Sequence, residues 1–170
     1  MDAPLGVQHN MGGSLEVHDP HSVRMTICLV SSCGGHLSEL LALRPAYERY
    51  RHFYVLNERV PLPAGVTARV FTITHGERDW RVLKNLWEAW RILRAERPDV
   101  ILSTGASPAV AFALIGRCRG IPAIFVEISA QVISPSLTGR FMAVLADHVL
   151  YQWRSLARWF PRGTYGGLVR

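Results

Sequence analysis

Short runs of β-branched and apolar residues recur along this chain, at positions 25–30, 52–56, 68–73, 100–102, 123–126 and 148–151. Most are separated by longer stretches whose apolar positions return at helical spacing, at 37–50, 78–96, 108–119 and 136–146. Near-continuous apolar runs mark strands covered on both faces, and a 3.6-residue period marks the helices that cover them. Pro98 and Pro122 stand just ahead of strands, where each stops the helix before it. The alternation predicts an α/β fold: a single Rossmann-like, doubly wound, mostly parallel sheet over residues 25–170. Residues 1–24 carry Gly, Pro, His and Asp without an apolar run, so they read as a disordered leader rather than a signal peptide. Met1, Met11 and Met25 are all eligible starts, and Met25 opens the first strand.

In such a sheet ligands belong at the carboxyl ends of the strands. Three loops reach that edge, at residues 31–36, 103–108 and 127–135. The first, Ser31-Ser32-Cys33-Gly34-Gly35-His36, is a small glycine-rich turn that ends in an ionisable residue. A strand–turn–helix of this kind offers backbone N–H groups and a helix N-terminus to an anion. It lacks the Gly-x-Gly-x-x-Gly spacing of dinucleotide binders, which points away from hydride chemistry. The second, Ser103-Thr104-Gly105-Ala106-Ser107-Pro108, repeats the physics, with Pro108 suited to the first turn of a helix. It reads equally as a phosphate cradle and as an ordinary tight βα turn.

Two side chains on this edge can do chemistry. His36 can take a proton from a hydroxyl nucleophile, or simply hydrogen-bond its own turn. Glu127, at the end of the run 123–126, is placed for an acceptor hydroxyl or general-base work, or alternatively caps a helix or pairs with Arg140. Cys33 reads as a small filler, since no His–Asp or His–Asn companion lies near it in the sequence.

Composition changes the picture in one respect. A chain of 170 residues, 49% hydrophobic and 19% charged, suits one globular domain, but its formal charge of +6 and pI near 9.8 favour an anionic partner. Nucleic acid is the weakest such partner, because the basic and aromatic residues interleave on an apolar helical face and no recognition motif is present. No run approaches the roughly eighteen apolar residues of a membrane span. Cys28, Cys33 and Cys118 have no metal spacing and read as reduced thiols; the histidines show no ligand pattern, and no metal is expected.

The stretch 78–97 is the strongest amphipathic helix. Val82, Leu83, Leu86, Trp87, Trp90 and Leu93 form its apolar face, with Arg81, Lys84, Arg91 and Arg94 around it. Such a helix suits a core cover or an anionic lipid surface, and the commoner case favours the core.

Taken in order, several segments resemble one family: Ser32-Cys33-Gly34-Gly35-His36-Leu37-Ser38-Glu39-Leu40, Pro98-Asp99-Val100-Ile101, the second turn, Glu127-Ile128-Ser129, Ser134-Pro135-Ser136-Leu137-Thr138-Gly139-Arg140, Ala146-Asp147 and Tyr165-Gly166-Gly167. The series resembles the acceptor-side subunit of two-chain glycosyltransferases, the PssD-like exopolysaccharide proteins. These are related to the membrane subunit of the eukaryotic transferase that adds the second N-acetylglucosamine to dolichol-linked chitobiose. A more distant similarity reaches the N-terminal half of MurG, the peptidoglycan lipid-II synthase. The resemblance covers residues 25–170.

The resemblance implies the N-terminal half of a GT-B glycosyltransferase, with the acceptor on this chain and the nucleotide-sugar on a partner. Ser32, Gly34, Gly35, Thr104, Gly105 and Ser107 would hold the diphosphate of a polyprenyl-linked saccharide, and His36 would activate its hydroxyl with Glu127 as companion. Tyr165, Gly166, Gly167 and Leu168 would meet the partner. The chain itself would bind no cofactor, the UDP-sugar donor would sit on the partner, and transfer would be a metal-free direct displacement with inversion. It would work peripherally at the cytoplasmic face of the plasma membrane in polysaccharide biosynthesis. Here it departs from relatives that carry a basic residue near Gln131, and from the eukaryotic subunit with its N-terminal membrane helix, so attachment would fall to Arg78, Trp80, Arg81 and Trp87. The alternatives are a self-sufficient single-domain transferase and a non-catalytic scaffold that binds a phosphate or lipid.

Overall fold

The computed structural model describes residues 25–57, 62, 67–73 and 81–169, the side chains of residues 81 and 82 apart. The expected leader at residues 1–24 lies outside them, as do Arg78 and Trp80.

Among the described residues, seven strands form one parallel sheet in the order β3-β2-β1-β4-β5-β6-β7. They are β1 (Thr26–Ser31), β2 (Arg51–Leu56), β3 (Arg69–Thr72), β4 (Val100–Ser103), β5 (Ala123–Val126), β6 (His148–Tyr151) and β7 (Thr164–Tyr165). The helices are α1 (Gly35–Ala42), α2 (Arg44–Tyr47), α3 (Arg81–Glu96), α4 (Ser107–Cys118) and α5 (Leu137–Leu145). The sheet is doubly wound, as its apolar strands predict. Because successive side chains point to opposite faces, Ile27 and Leu29 of β1 join Leu37, Leu40 and Tyr47 of α1 and α2 in one core. Cys28 and Val30 instead join Leu93 of α3, Phe112 of α4 and Met142 of α5 in the other. Among the described residues, no helix is long and apolar enough to cross a membrane.

Three expectations need correction. The helix foreseen over 37–50 is two helices, because Pro45 in the first turn of α2 has no N–H to continue the ladder through Leu43. A seventh strand, β7, pairs with β6, Leu150 opposite Thr164 and Tyr151 opposite Tyr165; two exposed residues are too few to leave a pattern.

The third concerns α3. Its buried stripe is Asn85, Glu88, Ala89, Ile92 and Leu93, whereas Leu83, Trp87 and Trp90 are 68%, 55% and 40% exposed. Of the apolar face foreseen in the sequence, Leu93 is buried and Leu86 half-buried, and Val82's side chain is outside the described residues. The core reading therefore fails for Trp87 and Trp90. Ala89 is the reason: a small residue lets the backbone of α3 approach its neighbours closely, and the bulky side chains lie on the far side. Arg91 covers the Trp87 ring at 5.1 Å and Arg94 the Trp90 ring at 5.1 Å.

Candidate acceptor site at the switch point of the sheet

Strand order reverses between β1 and β4, so the chain leaves these two neighbours in opposite directions and opens a crevice beyond their carboxyl ends. The first turn follows β1 and the second follows β4. Each leads into a helix that no side chain caps, with Gly34 preceding α1 and Ala106 preceding α4. The N–H groups of the first turn of α1 thus face the crevice from one side, and from the other the Ser107 N–H alone, since Pro108 has none and the Ala109 N–H donates to the carbonyl oxygen of Ala106 at 3.0 Å. Gly34 and Gly35 are exposed, and a Cβ on either would meet nothing within 4 Å, so the first turn is open to a ligand.

Between the turns lies His36. Its Nδ1 is 2.8 Å from the carbonyl oxygen of Thr104, and the Thr104 hydroxyl donates to the carbonyl oxygen of His36 at 2.8 Å. A carbonyl only accepts, so in the neutral ring the proton sits on Nδ1 and Nε2 carries the lone pair. No described residue bonds Nε2. Gly105 makes room for the ring: a Cβ there would lie 2.8 Å from Cε1 and 2.9 Å from Nδ1, and its φ is +125°. Ala106 follows at φ 73°, a conformation costly for a residue with a Cβ. Beneath them Ser103 donates to the carbonyl oxygen of Val30 at 2.8 Å and accepts from the Gly105 N–H at 3.1 Å.

These contacts correct part of the sequence reading. Thr104 is fully buried and its hydroxyl is engaged, while the Gly105 N–H is bound to Ser103. Neither presents a free group to a phosphate; Thr104 holds His36, and Gly105 leaves room for its ring. Ser32 is half-buried, its carbonyl oxygen accepting from the Ser31 hydroxyl at 2.8 Å, and Ser107 opens α4 beside the crevice.

No hydrogen bond joins Glu127 to His36 among the described residues. Its carboxyl is fully buried at the N-terminus of α5, where Oε2 accepts from the Ser136 N–H at 3.2 Å and the Ser136 hydroxyl at 3.3 Å. Ser136 in turn caps α5 by accepting from the Gly139 N–H at 2.8 Å. Oε1 has no partner among the described residues. Burial pushes the Glu127 pKa above the ordinary carboxylate range, the Ser136 and Ile128 hydrogen bonds oppose that, and the charge of Glu39 adds to it. The alternative pairing with Arg140 is not made; that guanidinium lies over the Trp159 ring at 5.2 Å.

A polar knot that the sequence reading did not assign surrounds Glu127. Glu39, one turn after His36 on α1, accepts from the Ser129 N–H at 2.8 Å, the Ser129 hydroxyl at 2.5 Å and Gln152 Nε2 at 2.5 Å. Gln152 also donates to the carbonyl oxygen of Glu127 at 3.1 Å and accepts from the Val169 N–H at 2.8 Å. One carboxylate therefore ties α1 to the third loop, the end of β6 and the tail. The available signal was the spacing from His36 to Glu39, which puts both on one side of α1.

In the tail, Tyr165 and Leu168 are exposed at the edge of the sheet. The Gly166 N–H donates to the carbonyl oxygen of Tyr151 at 3.0 Å, and Gly167 takes a φ of 75°. Among the described residues, no group of three His, Cys, Asp or Glu side chains is arranged to hold a metal ion.

Comparison with known proteins places the chain in a family. The family described as "Oligosaccharide biosynthesis protein Alg14 like" matches residues 69–169. The human UDP-N-acetylglucosamine transferase subunit ALG14 is 22% identical over 182 aligned positions, which cover 85% of this chain and 83% of the human protein. The UDP-N-acetylglucosamine–N-acetylmuramyl-(pentapeptide) pyrophosphoryl-undecaprenol N-acetylglucosamine transferase of Halorhodospira halophila is 31% identical over 145 residues, covering 76% of this chain but 40% of that protein. Among solved structures, Acinetobacter baumannii MurG superposes with a TM-score of 0.63 at 18% identity, over 77% of this chain and 42% of MurG. A UDP-GlcNAc 2-epimerase from Methanocaldococcus jannaschii superposes similarly, at 0.61 and 16% over 81% of this chain and 42% of the epimerase; these two likenesses establish the fold alone. The chain thus spans about two-fifths of these larger proteins and the greater part of the human subunit. With a family match across more than half its length, including the second glycine turn, Glu127 and the tail, the chain belongs to the Alg14-like family of oligosaccharide biosynthesis proteins.

Proposed function

We propose that this chain is the acceptor-binding subunit of a two-chain, inverting glycosyltransferase that acts on a polyprenyl-diphosphate-linked saccharide in polysaccharide biosynthesis. The observation that carries this is the clamp on His36. The Thr104 carbonyl fixes the neutral ring so that Nε2 holds the lone pair, with Gly105 leaving room for it, at a crevice flanked by two uncapped helix N-termini. The helix termini suit the acceptor diphosphate, and Nε2 suits its hydroxyl. The hydroxyl oxygen attacks the anomeric carbon, its proton passes to Nε2, and the nucleoside diphosphate departs from the opposite face.

The names of the relatives make UDP-N-acetylglucosamine the first donor to assay. The donor sits on a partner chain docked near Tyr165 to Leu168, and this chain binds no cofactor of its own. Glu127 supports the site through α5; it reaches a hydroxyl only if the Ser136 turn moves, since its carboxyl is buried. Membrane contact is peripheral, at the cytoplasmic face. It is supported by the exposed Leu83, Trp87 and Trp90 with Arg91 and Arg94 over the rings.

The test is a tagged pull-down of the chain from native membranes, followed by transfer assays on what is recovered. A co-purifying Rossmann-like chain in near-equal amount, and transfer only by the pair, supports the proposal. Activity of the chain alone would make it a self-sufficient transferase. Undiminished transfer by a pair carrying His36→Ala would make it a scaffold.

A further inference from the structure

We propose that α5 and the loop before it form a second lipid-contact surface, separate from α3: a ridge that dips into the head groups of an anionic bilayer. The inference rests on the membrane contact proposed above and assigns it a place.

Leu137, Phe141 and Val144 follow one another at helical spacing on α5, and Ile133 precedes them in the loop. They are 59%, 53%, 75% and 70% exposed. Side chains this bare form a convex ridge, where a groove for a lipid chain would shelter them. Apolar side chains that neighbour one another and stand proud of the surface are uncommon on a protein that meets only water.

The charges around the ridge select its occupant. Arg158 Nη2 lies 3.4 Å from the carbonyl oxygen of Ile133 at one end, and Arg117 Nη1 lies 3.3 Å from that of Val144 at the other. Arg140 and Arg158 both lie over the Trp159 ring, at 5.2 and 5.7 Å. Carboxylates are scarce here. Between residues 128 and 169 the sequence holds one, Asp147, which accepts from the Ala123 N–H at 2.8 Å; α4 has none, and Glu127 is buried. An apolar ridge bracketed by arginines, two of them over an indole ring, matches a plane of lipid phosphates over hydrocarbon. A protein partner would have to supply both a fitting groove and a matching row of carboxylates.

The consequence reaches the site. Ser136, which caps α5, also holds Glu127. Seating α5 in the head-group layer brings the carboxyl edge of the sheet to the level at which a lipid-linked diphosphate lies.

The experiment is co-sedimentation of the full chain with vesicles of phosphatidylcholine alone and of phosphatidylcholine rich in phosphatidylglycerol. Wild type is expected to pellet with the anionic vesicles. Phe141→Ser with Val144→Ser should weaken that binding at least about tenfold, by removing apolar area from the bilayer. Arg140→Gln with Arg158→Gln should weaken it roughly twentyfold, and added salt should lessen that difference. Circular dichroism melts of both variants should match wild type, since the altered residues are largely exposed. If the Phe141/Val144 variant binds as wild type does, the inference falls. Loss of binding by Trp87→Ser with Trp90→Ser in that case leaves the membrane reading standing on α3 alone. If wild type binds neither vesicle, the membrane reading falls with it. If the α5 variants keep vesicle binding but lose the partner chain in the pull-down, the ridge is a protein interface and the inference is overturned.

Discussion

The imidazole of His36 and the carbonyl oxygen of Thr104 meet at 2.8 Å although 68 residues separate them in the chain. The sheet makes the meeting possible. β1 and β4 are paired neighbours with Val30 opposite Ser103, so the turns that follow them start side by side. The Thr104 hydroxyl, donating back to the carbonyl oxygen of His36, makes the link reciprocal. A ring bonded through Nδ1, on a residue whose own carbonyl is tied to the same threonine, has one orientation and one neutral tautomer, the requirement for a base that must meet a hydroxyl placed by another part of the site.

Gly105→Ala tests whether that clamp matters. The new Cβ would sit 2.8 Å from Cε1 and 2.9 Å from Nδ1 of His36, on a backbone at φ +125°. The ring must move, and the strained backbone should cost about 1–3 kcal/mol. Urea denaturation should show that loss, and transfer by the reconstituted pair should fall with it. A stable, fully active Gly105→Ala protein would mean the ring is not clamped as described.

His36→Gln keeps a polar side chain of similar reach but cannot take up a proton. It should lower kcat of the pair by about a hundredfold to ten-thousandfold, the usual contribution of a general base, with little change in acceptor KM. Steady-state kinetics on a lipid-diphosphate acceptor check it. A rise in KM with kcat preserved would make His36 a binding residue instead.

The alternation of apolar runs and helical stretches shows most of the fold in advance, because strands covered on both faces must be apolar throughout. It does not show which side of a helix is covered. In α3 the hydrophobic pattern marks the exposed side as clearly as a buried one, and the short side chain of Ala89, which decides the packing, has little weight in any such pattern. The first turn is legible because Gly34, Gly35 and His36 are consecutive. The roles of Thr104 and Gly105 are not, since they depend on a contact between loops distant in sequence. The knot of Glu39, Ser129 and Gln152 is hidden too, because its members come from α1, the third loop and the residue after β6.

Gln152→Leu probes that knot. Leucine removes the donor to Glu39 and to the buried carbonyl oxygen of Glu127, and the acceptor for the Val169 N–H, leaving a buried carbonyl and a half-buried N–H without that partner while Ser129 still donates to Glu39. The loss should be about 1–3 kcal/mol per group left unsatisfied, read from urea midpoints. Amide exchange near Val169 should quicken, and the variant should recover less partner in the pull-down. Unchanged exchange there would separate the tail from Gln152.

Glu127 gives a prediction whose sign is fixed by its burial. Its pKa in the folded chain is raised, chiefly by desolvation, with the charge of Glu39 adding and the Ser136 hydrogen bonds opposing. The folded state therefore holds this proton more tightly than the unfolded state does. Between the ordinary carboxylate value and its own raised value, Glu127 binds more protons folded than unfolded, so stability falls as pH rises through that window. The contribution is complete below the ordinary value and gone above the raised one. Glu127→Gln has no proton to lose, so the stability difference, wild type minus variant, should decrease with rising pH and then level off. Its slope cannot exceed about 1.4 kcal/mol per pH unit, the limit for one proton. Urea midpoints at steps from about pH 4 to about pH 8 would trace it. In the Glu39→Gln background the levelling should come at lower pH, since one cause of the raised value is removed. A difference that grows with pH would mean that the Ser136 hydrogen bonds outweigh burial, and that the carboxylate is held ionised at the N-terminus of α5.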